Sequence, residues 1–160
     1  MKEVEIKSVI EVYEGVHELP EDVQELVVKS AEIRDKAYAP YSDFLVGAAI
    51  LLENGEIVLG SNQENACYPS GLCAERTAIY FAGANFPGVK IKTMVLTAKS
   101  LKYELTTPTP PCGSCRQAIA EYEIKQKSPI TIYFMGETGK VVKSCSLSNI
   151  MPLIFDNSYL

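Results

Sequence analysis

Five cysteines occur in this chain of 160 residues, and the spacing of three of them suits metal chemistry. Cys112 and Cys115 form a CxxC pair directly after Pro111. Three apart on a first helical turn, they lie on one face and reach a common ion. Taken alone, such a pair is equally a redox dithiol or half of a structural zinc knuckle. Cys73 changes that balance, because it adds one thiol with no histidine and no second CxxC beside it. Three thiolates leave the fourth position of a tetrahedral zinc open to water, which is the catalytic arrangement. A proton carrier is then required, and Glu75 stands two residues from Cys73. In mid-helix that spacing turns two side chains apart, so both face one ion only at a helix tip; the Gly71 loop and a helix start near Leu72 allow this. Three thiolates around Zn²⁺ also leave a net negative charge. Two helix N-termini, with their N–H groups turned to the sulfurs, and Arg76 directly after Glu75 are the expected compensation; Arg116 follows Cys115 in the same way.

These residues need elements to hold them. Residues 3–13 alternate apolar and charged positions, as an edge strand or ordered arm does. From Pro20 the apolar spacing is helical and runs toward Tyr38, where Pro40 stops it. Phe44 to Leu52 and Glu56 to Ser61 flank Glu53-Asn54-Gly55, a strong hairpin signal. A loop over 62–71 leads into a helix over about 72–84, then a buried strand over 91–98. A proline-rich loop over 106–111 precedes a helix over 115–122, with Pro111 placed as a first helical residue. Strands over 129–135 and 141–146 follow, and a short helix from Ser148 toward Phe155 is expected to end the chain. This order predicts an α/β fold, a three-layer α/β/α sandwich with a central mixed five-stranded sheet. Residues 1–18 are expected as an N-terminal arm or edge strand, and residues 19–160 as a single catalytic domain.

Composition narrows the partners. With 47% hydrophobic and 22% charged residues the chain can bury the core of one domain. A net charge of −5 gives no field that gathers phosphates, so neither nucleic acid nor a membrane surface is an expected partner. The longest uncharged apolar run, Phe44 to Leu52, is too short to span a bilayer, and Lys2, Glu3, Glu5 and Lys7 interrupt any hydrophobic start. A cytoplasmic protein with reduced thiols is the expectation. His17, the single histidine, has no ligand type near it and is expected at the surface.

Cys-Ala-Glu at 73–75 and Pro-Cys-Gly-Ser-Cys-Arg-Gln at 111–117 resemble the small, homotetrameric zinc cytidine deaminases. The resemblance extends through residues 39–44, 46–49, 60–66 and 74–78, and covers roughly residues 20–157. It implies one zinc per chain on Cys73, Cys112 and Cys115, with Glu75 as the proton shuttle. It implies that Asn62 and Glu64 bind the ribose 3′-hydroxyl, that Phe44 packs against the nucleoside, and that Ala74 lies in the substrate site. Ala66, Tyr68 and Phe155 match positions through which neighbouring subunits complete one another's pockets, so a homotetramer acting on a small nucleoside is implied. Similar blasticidin S deaminases, or a non-catalytic structural zinc protein, are the rival readings. Polynucleotide-editing deaminases use a histidine where this chain has Cys73, and they need a basic groove. Cys67 and Cys145 match no ligand position and are expected as small buried hydrophobes.

Overall fold

Apolar runs that become covered on both faces form the centre of the molecule. The computed structural model describes residues 1–160. Its strands are β1 (Glu11–Tyr13), β2 (Phe44–Leu52), β3 (Ile57–Ser61), β4 (Ile91–Ser100), β5 (Thr131–Met135) and β6 (Val141–Ser144); its helices are α1 (Glu21–Arg34), α2 (Ala74–Asn85) and α3 (Gly113–Gln126). The six strands form one sheet in the order β1-β6-β5-β4-β2-β3. Every neighbouring pair is antiparallel except β4 and β5, which α3 connects. The expected count of five strands is therefore corrected to six: the extra strand is the three-residue piece of the N-terminal arm that pairs with β6.

Alternate residues of each strand serve opposite layers. Ala48, Ile50, Met94, Leu96, Ile132 and Phe134 pack with Ala78 and Ile79 of α2 and Ile119 of α3. Ala49, Val95, Tyr133 and Met135 pack on the other face with Leu19 and with Val23, Leu26 and Val27 of α1. The Glu53-Asn54-Gly55 hairpin is present, as a three-residue loop in which Gly55 N–H closes on Leu52 O at 3.1 Å and Gly55 takes φ 88°.

Some boundaries differ from the sequence reading. α1 stops at Arg34 instead of running toward Tyr38, because Tyr38 exchanges backbone hydrogen bonds with the segment at Asn62 to Glu64 and so cannot be helical. α2 begins at Ala74 and not near Leu72, because Leu72 is bonded in both directions to Gln63. α3 starts at Gly113, which leaves Pro111 just outside the helix. No helix forms from Ser148 toward Phe155: a turn after Leu147 is followed by irregular chain, and Pro152 would lack the N–H for an internal helical bond. His17 is exposed, as expected. No helix is long and apolar enough to cross a membrane.

Gly60 on β3 lets the first turn of α2 approach the sheet. A Cβ there would lie 2.6 Å from Ala78 N and 2.7 Å from Ala74 O, both backbone atoms that have little room to yield. Gly60→Ala is expected to cost about 1–3 kcal/mol, as core overpacking does. Thermal unfolding checks it; an unchanged melting temperature would mean that α2 can move outward freely.

Candidate active site

Leu72 and Gln63 exchange two backbone hydrogen bonds of 2.8 and 2.9 Å, which fixes the chain just ahead of Cys73. Cys73 then caps α2 in extended conformation, Ala74 opens the helix and Glu75 follows. The helix-tip geometry that the two-residue spacing demands is thus met. Cys112 caps α3 in the same extended conformation, and Cys115 lies in that helix's first turn. The three sulfurs all lie within 4.8 Å of one another. Cys112 Sγ is 3.5 Å from Cys115 Sγ and 4.0 Å from Cys73 Sγ. Thiolates at ~2.3 Å from a tetrahedral zinc stand about 3.8 Å apart, so the donor set and its spacing fit that ion. Cys115 is buried, Cys73 half-buried and Cys112 exposed.

Neither capping cysteine's sulfur accepts a hydrogen bond from the backbone N–H groups of its helix, contrary to the expectation that these groups meet the sulfurs. The helices contribute a favourable field only. The direct contact is from Arg76, whose Nη2 donates to Cys73 Sγ at 3.7 Å. The Cys115 thiol, then Arg76, hold Cys73 down to about 5. Cys115 is pushed up in turn, first by the neighbouring Cys73 and then by burial. Cys73 is thus the sulfur that ionises more readily, and Cys115 the one that holds its proton. Glu75 is 5% exposed, and burial followed by the Cys73 charge raises its carboxyl above the usual range.

Beside the sulfurs lies a cavity of about 390 Å³, lined by Phe44, Asn62, Glu64, Cys73, Glu75 and Cys112 among others. That volume suits a small polar ligand. The Asn62 side chain bridges the β2 backbone, accepting from Val46 N at 2.7 Å and donating to Phe44 O at 2.9 Å. Glu64 Oε2 accepts from Tyr41 N at 2.9 Å and Ser42 N at 3.3 Å, leaving Oε1 without a partner in the chain. The Ser42 hydroxyl and these N–H groups hold Glu64 below the usual carboxylate range. A second hollow of about 440 Å³ shares Asn62, Glu64 and Cys73 and adds Tyr41, Tyr68 and Arg76.

Other candidates fall elsewhere. The Ala74 side chain is fully buried in the core and lines neither cavity. Ala66 is exposed and lines neither, and Phe155, 59% exposed, stacks on Tyr159 away from both. Cys67 and Cys145 are exposed and not buried, because one caps a surface 3-10 turn and the other follows the end of β6 in a bend. Sequence reasoning did not single out Thr109 and Pro110, which help line the cavity that holds Glu75. The only signal was the proline-rich loop that leads into the CxxC pair.

A mixed sheet carrying three thiols and a buried carboxyl at the tips of two helices defines a metal-binding α/β enzyme domain. Residues 20–129 match the family model described as the cytidine and deoxycytidylate deaminase zinc-binding region. The chain belongs to the cytidine deaminase family. It is 44% identical over 140 residues to a cytidine deaminase of Sporosarcina psychrophila, covering 87% of this chain and 95% of that one. It is 34% identical to that of Halalkalibacterium halodurans, covering 84% and 94%. The crystal structure of cytidine deaminase from Burkholderia pseudomallei superposes with a TM-score of 0.72 at 32% identity, covering 86% of this chain and all of that one.

Removal of the Arg76 guanidinium should make the Cys73 thiolate harder to form. In metal-free protein, thiolate absorbance lost on acidification through about 5 is expected to shift to higher pH in Arg76→Ala. An unmoved midpoint would remove Arg76 from charge compensation.

Proposed function

We propose that the protein hydrolyses cytidine and deoxycytidine to uridine and deoxyuridine with release of ammonia, using one zinc ion per chain. The observation that carries this reading is the buried Glu75 carboxyl beside three clustered thiols, at the wall of a cavity that also presents Asn62 and Glu64. Family membership and the long match to named cytidine deaminases support it.

Cys73, Cys112 and Cys115 hold the metal. Bound there, zinc supplies Lewis acidity that makes water a nucleophile near neutral pH. Glu75 takes the proton from the water that adds to C4 of the base and delivers a proton to N3. It then carries the second proton to the departing amino group, and ammonia leaves as the carbonyl forms. One carboxyl can act as base and then as acid because each transfer restores the other state. Its raised affinity for protons, from burial, suits this role. Phe44 packs against the nucleoside. The unpartnered Glu64 Oε1 and the second hydrogen of Asn62 Nδ2 are the groups offered to the 3′-hydroxyl. Ala74 contributes through its backbone, since its methyl group faces the core.

The subunit arrangement is part of the same proposal: a homotetramer in which Ala66, Tyr68 and Phe155 reach neighbouring pockets. Their exposure supports this, as does the uncovered apolar surface at Tyr80 and Phe81 of α2. Residues 19–160 form the catalytic unit, residues 1–18 an accessory arm, and the compartment is cytoplasmic.

The ultraviolet absorbance of cytidine, deoxycytidine and cytidine monophosphate, each mixed with zinc-loaded protein, tests the activity. Loss of cytosine absorbance for both nucleosides is expected, and silence on all three would overturn the reading. Glu75→Gln should retain zinc and lose roughly a thousandfold or more in kcat, within the range of general acid–base contributions. Near-normal turnover in that zinc-replete variant would exclude Glu75 as the proton carrier.

A further inference from the structure

Cys73 and Cys115 are each held by their surroundings: Cys73 follows the Gln63–Leu72 pairing and receives Arg76, and Cys115 is fully buried. Cys112 has no such support. It is exposed, as are Gly113 and Ser114 after it, and a Cβ added at Gly113 would meet nothing within 4 Å. What fixes its backbone is Arg116. The Arg116 N–H donates to Cys112 O at 2.9 Å as the first bond of α3, and Nε of the same residue donates to Pro111 O at 2.9 Å. One residue thereby binds both carbonyls that flank the nitrogen of Cys112.

The guanidinium is itself tied down. Its Nη1 donates to Ile150 O at 2.8 Å, in the irregular C-terminal segment. That segment is fastened to the far end of α3 by Glu123, which accepts from Leu147 N at 2.8 Å, Ser148 N at 3.2 Å and Ser146 Oγ at 3.1 Å. The next residue of α3, Gln117, donates through its side chain to Phe155 O at 2.8 Å, and that side chain makes no hydrogen bond to the cysteine segment.

We propose that Arg116 is a positioning residue for the metal centre, holding the exposed ligand Cys112 in register with the other two sulfurs and making the C-terminal segment around Ile150 part of that support. The inference rests on the reading of Cys73, Cys112 and Cys115 as zinc ligands, and does not depend on which substrate is deaminated. Residues that orient ligands from behind typically account for 10–100-fold in metal affinity.

The test is chelator competition on the purified full-length protein, read as zinc transferred to a metallochromic dye, with thermal unfolding of the metal-free and zinc-loaded forms in parallel. Arg116→Ala is expected to release zinc at roughly 10–100-fold lower chelator concentration. Arg116→Lys, which can replace one of the two side-chain bonds, should fall between Ala and the parent and covers the case in which Ala does not fold. Gln117→Ala, which cuts only the tie to Phe155, should retain zinc like the parent. A purely structural arginine would lower the melting temperature of the metal-free form without changing zinc affinity. Zinc retention equal to the parent in folded Arg116→Ala or Arg116→Lys would overturn the proposal. A parent that binds zinc but deaminates none of the three cytosine compounds would instead overturn the activity reading while leaving this result intact.

Discussion

Backbone hydrogen bonds on both flanks of Asn62 to Glu64 hold the parts of the site in one frame. On one side Tyr38 N donates to Asn62 O and Tyr38 O accepts from Glu64 N; on the other, Gln63 and Leu72 exchange both of their bonds. The segment has left the regular sheet, yet its polar backbone groups remain satisfied, as chain that runs beside the core requires. Its partners determine where α1 can end and where α2 can begin. The distance from the sugar-binding candidates to the first metal ligand is consequently a property of main-chain bonding and not of mobile side chains. Asn62 extends the same logic with its amide, which bonds β2 where a strand residue would have used its peptide group.

Electrostatics follows from this frame. Two helix tips and one arginine meet at three sulfurs and a carboxyl, a combination that without a cation holds more potential negative charge than a buried site tolerates. The protons are therefore unevenly shared, low on Cys73 and high on Cys115 and Glu75. A divalent ion in place of the thiol protons relieves the same imbalance, which is why a geometry favourable to zinc and a strongly perturbed set of titrations occur in one place.

The chemistry was more legible in the sequence than the ends of the elements. The spacing of Cys112 and Cys115, the lone Cys73 with Glu75 two residues on, and Asn54-Gly55 between apolar runs are local signals, and each has its local consequence in the structure. The ends of α1 and α2 depend on Tyr38 and Leu72 pairing with residues distant in sequence, which helical periodicity cannot register. The alternation over residues 3–13 allowed an edge strand, but not its extent or its place as a sixth member of the sheet, since only three residues of the arm become a strand, through β6. Cys67 and Cys145 show the limit of residue-type averages, because a thiol in a surface turn is exposed whatever cysteines do on average. The bond from Arg116 to Ile150 O likewise has no local signal, since the two residues are 34 apart.

The separation of the ligands along the chain has a thermodynamic side. Cys73 and Cys112 are 39 residues apart, so an ion shared between them closes a loop that spans α2, β4 and the proline-rich segment. Treated as a cross-link, closure of a loop of that length removes conformational freedom from the unfolded chain worth roughly 4 kcal/mol. The unfolded protein retains the adjacent CxxC dithiol but loses the third donor, so the ion binds the folded chain preferentially and each stabilises the other. Metal supply would then govern how long the chain stays folded as well as how fast it turns over substrate.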